Sequence, residues 1–131
     1  MCDTVTGKSI GKLRDLVKLD ANGLIVAVIQ HHETGQVLMV GYMNRESLDI
    51  TLRERKACFW SRSRQELWLK GDTSGNYLMV KEIRTDCDAD ALVVKCDPVG
   101  PTCHTQETSC FYRLADFDGN VTLAGDGVAT K

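Results

Sequence analysis

The chain has 131 residues, 43% of them hydrophobic and 26% charged, with a formal net charge of −2. That length suits a single domain able to bury its own core, and the composition argues against disorder. A balance so close to neutral supplies no general field for nucleic acid or an anionic membrane, which leaves phosphate recognition to local clusters. No stretch is apolar for long enough to span a bilayer, and residues 1–18 lack the apolar core and cleavage site of a signal peptide, so the expected location is the cytoplasm. In that reducing compartment the six cysteines read as metal ligands rather than disulfides.

Taken in chain order, the apolar runs 24–29 and 37–42 flank the turn-like His32-Glu33-Thr34-Gly35 and predict an antiparallel hairpin. Asn44 is placed to cap a helix running to about Arg55, with Leu48 and Leu52 on one face. Short segments rich in aromatic and β-branched residues follow at 57–61, 67–70, 77–84, 91–95 and 111–114, and predict strands. The run 77–83 alternates imperfectly, as a strand covered on both faces over part of its length does. The fold class expected is α+β, predominantly antiparallel β with one main helix. The glycine-bearing tail 119–131 carries few large side chains and reads as partly loose.

Cys87, Cys103 and Cys110 follow the pattern C-x15-C-x6-C, with His104 beside the second cysteine. Three thiolates suit zinc, and three protein ligands leave a fourth position for water, as catalysis requires. His104 as a fourth ligand would instead close a structural site, and spacing alone favours neither. Neighbouring side chains in extended backbone point to opposite faces, so Cys103 and His104 reach one ion only if a turn intervenes. Cys58 and Cys96 fall in apolar strands and Cys2 lies near the terminus, so these three read as bystanders.

Asp86, Asp88 and Asp90 recur at every second residue around Cys87. On a strand they would share one face, where mutual repulsion calls for a hard cation such as Mg2+. A calcium loop of the EF-hand type is excluded, because Ala91 occupies its glycine position and Asp97 its glutamate position. A solvated acidic turn without an ion is the plainer alternative, and the nearness of Cys87 weighs against it.

The stretch from Phe59 to Asn76 concentrates Arg62, Arg64, Lys70, Thr73, Ser74 and Gly75. Arginine offers bidentate donors, and a Thr-Ser-Gly turn exposes amides and hydroxyls to an oxyanion, which makes this a candidate phosphate site; an exposed basic hairpin is the alternative.

The segments W-S-R-S-R, L-W-L-K-G-D-T-S-G, D-C-D-A-D-A-L and C-H-T-Q-E-T-S-C-F-Y, in this order and spacing, resemble the phosphoribosyl-AMP cyclohydrolases of histidine biosynthesis over roughly residues 24–112. The resemblance implies a barrel-like, intertwined homodimer with active sites at the subunit interface. It also implies zinc held by Cys87 of one chain with Cys103 and Cys110 of the other, and magnesium held by Asp86, Asp88 and Asp90. His104 matches the implicated catalytic histidine. The implied reaction is hydrolytic opening of the N1–C6 bond of an N1-ribosylated adenine; because three thiolates blunt the acidity of zinc-bound water, a nearby base is needed, and His104 is expected to remove or relay its proton. Trp60, Arg62, Arg64, Lys70, Thr73, Ser74 and Gly75 are the substrate-binding candidates. Two phosphates call for a second basic group, for which Lys81 or Arg84 is available. The chain has no room for a fused pyrophosphatase domain and reads as monofunctional.

In one respect the chain departs from the pattern. Gln106 stands where the family commonly has glycine, which predicts a slightly different loop shape around His104. A zinc deaminase, which also attacks C6 of adenine, is the alternative enzyme, but its H-x-E and P-C-x-x-C signatures are absent. A closed zinc module for protein interaction is the non-catalytic alternative.

Overall fold

The computed structural model describes residues 7–124. Its centre is a four-stranded sheet built from β1 (Ile25–His31), β2 (Val37–Met43), β5 (Leu78–Thr85) and β6 (Ala91–Pro98), in the order β2-β1-β6-β5. Two hairpins stand apart from it, β3 (Cys58–Ser61) with β4 (Glu66–Leu69), and β7 (Arg113–Ala115) with β8 (Val121–Leu123). The main helix is α2 (Arg45–Glu54), and a four-residue helix α1 (Leu13–Leu16) precedes β1. All hairpin pairings are antiparallel, while β1 and β6 run parallel, from Val26 beside Ala91 to His31 beside Cys96. The expectation of a mainly antiparallel α+β fold holds with that one parallel seam. Among the described residues the strands form three separate sheets and no closed barrel, so the barrel-like expectation is corrected.

Strand period explains the core. Ile25, Ala27 and Ile29 of β1 point the same way as Leu92, Val94 and Cys96 of β6, and all six are buried. Val17, Leu38, Met39, Met43, Leu48, Ala57, Phe59 and Leu78 complete the cluster. Gly41 of β2 allows the β3–β4 hairpin to lie over the sheet, because a Cβ there would come within 2.6 Å of the Phe59 ring. Cys58 and Cys96 are buried within this fold, as bystanders would be, while Cys2 lies outside the described residues. Part of the tail expected to be loose forms β8; three residues without turn chemistry of their own give a weak strand signal. No helix among the described residues is long and apolar enough to cross a membrane.

Helix α2 begins with a reciprocal cap: Asn44 Oδ1 accepts from the Ser47 amide and Ser47 Oγ accepts from the Asn44 amide, both at 2.8 Å. It ends at Arg55, whose φ of 57° turns the chain toward β3. The buried face runs through Ser47, Leu48 and Thr51, and Leu52 is 44% exposed, which corrects the expected Leu48–Leu52 face. Leu52 is displaced from the core because the helix rests on β3 through Thr51. The hydroxyl of Thr51 donates to Ser47 O at 2.8 Å and accepts from Cys58 N at 2.9 Å, so one buried side chain joins helix to strand. Thr51→Val keeps the shape and strands the Cys58 amide in the core. The expected loss is about 1–3 kcal/mol in urea unfolding with an unchanged m value, and Thr51→Ser should recover most of it.

Candidate active site

The register of the central sheet separates the chemically active residues into two groups. Residues 86–90 form the turn from β5 into β6, beside Val26 and Met43, whereas Cys103 follows the far end of β6. Cys110 lies at that same far end, its amide donating to Leu38 O at 2.7 Å. Eight residues of β6 intervene, about 26 Å at ~3.3 Å per residue. Within one chain Cys87 is therefore remote from Cys103 and Cys110.

The aspartates come together through a turn and not through one face of a strand, a correction to the expected geometry. Asp86 Oδ1 accepts from the amides of Asp90 and Ala91 at 3.0 and 3.2 Å, and Ala89 adopts a φ of 58°. The Lys18 amide holds the Ala89 carbonyl from outside at 2.7 Å. The result is three exposed carboxylates with oxygens within 4.8 Å of one another, the only group of three or more candidate ligands among the described residues. Asp90 is held above the usual carboxylate range by its hydrogen bond to Asp86 and by the charges of Asp86 and Asp88. Asp86 is held below it: desolvation pulls upward but is outweighed by the bonds to Asp90 and the two amides. The mutual repulsion of these carboxylates is what a divalent cation would neutralise, and an all-oxygen donor set fits a hard ion.

Cys103 and Cys110 hydrogen-bond to each other and make a pair of soft donors. Burial would raise the Cys103 thiol, but the hydroxyl and amide of Thr105, the Cys110 thiol and the Lys70 charge together bring it below its ordinary value. The Thr105 hydroxyl stands 3.0 Å from Cys103 Sγ. Cys110 is pushed up to about 11 by burial and by its bond to Cys103. Two adjacent thiols, one already biased toward thiolate, fit two of the ligands a zinc ion takes.

A turn does intervene after Cys103, with the Gln106 amide donating to Cys103 O at 3.0 Å. His104 is exposed on that turn and does not form a ligand group with the two cysteines. Gln106 adopts a φ of 75°, so the loop takes the left-handed backbone that glycine would favour despite the larger residue.

Cys103, His104 and Gln106 form one wall of a cleft of about 560 Å3. The opposite wall comes from β4 and the loop after it, with Lys70, Thr73, Ser74 and Asn76, while Ser61, Arg64 and Trp68 close one side. The loop bends sharply at Gly71, where φ is 94° and a Cβ would meet the Tyr77 backbone at 2.5 Å. Of the substrate-binding candidates, Arg64, Lys70, Thr73 and Ser74 reach the cleft. Gly75 shapes the turn without lining it, its amide donating to Gly71 O at 2.7 Å.

Trp60 and Arg62 line a second depression of about 490 Å3 with Tyr42, over whose ring the Arg62 guanidinium stacks at 4.0 Å. Lys81 lies at the β5 bulge beside Leu52 and Arg55, and Arg84 is paired with Glu82, so neither borders the cleft. The turn between β3 and β4 parts Arg62 from Arg64, and Lys81 and Arg84 belong to β5, so these candidates divide between surfaces. Trp68, Asn76 and Thr102 line the cleft and were not singled out by sequence; only the position of Asn76 directly after the Thr-Ser-Gly turn gave a signal.

The family model described as phosphoribosyl-AMP cyclohydrolase matches residues 39–112. A phosphoribosyl-AMP cyclohydrolase of Chloroherpeton thalassium is 59% identical over 109 residues, covering 83% of this chain and 78% of the relative. Proteins of the same name from Chlorobium phaeovibrioides and Rhizorhabdus wittichii are each 53% identical, covering 83% and 78% of this chain and 80% and 82% of the relatives. The matched segment spans both halves of β6 chemistry, from the acidic turn to the paired cysteines, and sets the deaminase alternative aside. The chain therefore belongs to the phosphoribosyl-AMP cyclohydrolase family, a family of hydrolases.

Proposed function

We propose that this protein is a homodimeric, zinc- and magnesium-dependent enzyme that hydrolyses the N1–C6 bond of the adenine ring of 1-(5-phosphoribosyl)-AMP, releasing the ring-opened formimino aminoimidazole carboxamide ribonucleotide. The observation that carries the reading is the cleft itself, in which Cys103 and His104 face Arg64, Lys70, Thr73 and Ser74 across about 560 Å3. That volume suits a nucleotide, and the cations and hydroxyls suit its phosphates.

Cys103 and Cys110 would hold zinc with Cys87 of a second copy, and Asp86, Asp88 and Asp90 would hold magnesium. Zinc, when bound, supplies Lewis acidity that activates water. Ribosylation at N1 leaves C6 electron-poor, and water adds there. His104, exposed on its turn, takes a proton from that water and returns it to N1 as the C6–N1 bond breaks. Oxygen remains on C6 while its second proton passes to the exocyclic nitrogen, so that C6 becomes the carboxamide carbon, and the ribosylated nitrogen leaves on the formimino side. Lys70 lies close enough to both thiols to lower their proton affinity, so it opposes the negative charge that three thiolates would gather. Arg64 with the Thr73–Ser74 turn then serves the phosphate.

Two features support the dimer. One chain cannot close a three-thiolate site across β6, and Phe111, Leu114, Phe117, Val121 and Leu123 are exposed apolar side chains along the segment that follows Cys110. A closed Cys3His structural module is disfavoured because His104 does not group with the two cysteines.

Cys87→Ala and Cys103→Ala proteins should each be inactive and each lack full zinc. Mixed after reversible unfolding, they should regain about a quarter of wild-type turnover, since half of random pairs are mixed and each holds one intact site under two-fold symmetry. Recovery of none from a mixture that does form mixed dimers would sink the shared site. His104→Ala should keep its zinc and magnesium by elemental analysis while turnover falls by about 10²–10⁴; unchanged turnover would remove His104 from the proton transfer.

A further inference from the structure

Four polar residues are fully enclosed in the described fold: Ser47, Thr51, Thr102 and Ser109. Ser47 and Thr51 bond within α2 and to Cys58, and Ser109 Oγ donates to Val37 O at 2.7 Å. Thr102 is 1% exposed, and its Oγ1 alone among enclosed side-chain polar atoms has no partner. Its amide has a partner, donating to Thr108 O at 3.3 Å. Valine has the same shape as threonine and would fill this position without leaving an unpaired hydroxyl, so the empty fold gains nothing from the oxygen.

Thr102 nevertheless lines the cleft, directly before Cys103 and two residues before His104. The cationic side chains that suit phosphate, Arg64 and Lys70, come from the opposite wall and side. We propose that Thr102 is a substrate-positioning residue whose hydroxyl makes its hydrogen bond only in the occupied cleft, to the polar edge of the purine beside C6. Because the oxygen is closed off in the empty cleft, the wall formed by residues 101–106 shifts as the base enters. The left-handed Gln106 in this wall is a second departure from a relaxed loop. An interaction absent from the free protein and made with substrate is one that serves catalysis rather than folding.

The inference rests on the cleft being the substrate site, and one series of variants separates the two. Thr102→Val in the full, metal-replete protein should melt no lower than wild type, while kcat/KM for phosphoribosyl-AMP falls about tenfold. Thr102→Ser should restore it. Inhibition by AMP should weaken to a similar degree, and inhibition by ribose 5-phosphate, which has no base, should be unchanged. Wild-type kcat/KM in Thr102→Val would overturn the proposal. So would a lowered melting temperature with AMP and ribose 5-phosphate weakened equally, which would mean that the hydroxyl has a structural partner. Failure of wild-type protein to bind either inhibitor, or persistence of both inhibitions in Arg64→Ala with Lys70→Ala, would instead count against the cleft.

Discussion

Strand β6 lies between a parallel neighbour, β1, and an antiparallel one, β5, and this placement governs where the clustered carboxylates and the paired cysteines of the chain end up. The acidic turn must precede the strand and the paired cysteines must follow it. A pleated strand cannot be shortened, so oxygen donors and paired sulfur donors are held at opposite ends of the sheet. Its inward residues Leu92, Val94 and Cys96 are wholly enclosed, so the spacer is also part of the core and is rigid. Burial pushes the Cys96 thiol up to about 12, which leaves it a packing residue with no nucleophilic role.

The cleft depends on a different set of contacts. The β3–β4 hairpin is tethered at one end by Thr51 of α2 and lies over β2 where Gly41 admits the Phe59 ring. From that base the chain returns through Lys70, whose amide donates to Ala57 O, and turns at Gly71 to bring Thr73, Ser74 and Asn76 opposite the cysteine loop. Asn76 also abuts Gly100, where a Cβ would meet its Oδ1 at 2.5 Å, so the two walls touch through a position with no side chain. Polar residues on loops are thereby positioned by an apolar scaffold, with the variable chemistry kept off the core.

Much of this was legible in the sequence, for physical reasons that differ by element. Asn44 announced its helix because a cap has a local signature, and the β-branched runs announced β1, β2 and β6 because burial on a pleated surface selects them. The parallel seam was not legible: alternation specifies which face a residue uses and says nothing about which strand lies alongside. The three aspartates were correctly grouped for the wrong geometric reason, since a turn stabilised by Asp86 gathers them as well as a strand face would. Trp60 and Arg62 were grouped with Arg64 by nearness in sequence, and the turn from β3 into β4 divides them between two surfaces. Thr102 carried no signal, because only burial distinguishes its hydroxyl from that of any loop threonine.

The parallel seam also bears on how the molecule forms. The hairpins β1–β2, β3–β4 and β5–β6 each close over short loops, whereas the seam joins residues as distant along the chain as Val26 and Ala91. Loop-closure entropy opposes that step until the hairpins exist. Both ends of β6 are fixed in space by the same event, so the acidic turn and the cysteine loop acquire their native positions together. Until then a nascent chain presents its thiols and carboxylates without the framework that holds the two kinds of side chain apart, and their separation arrives with the last pairing of strands.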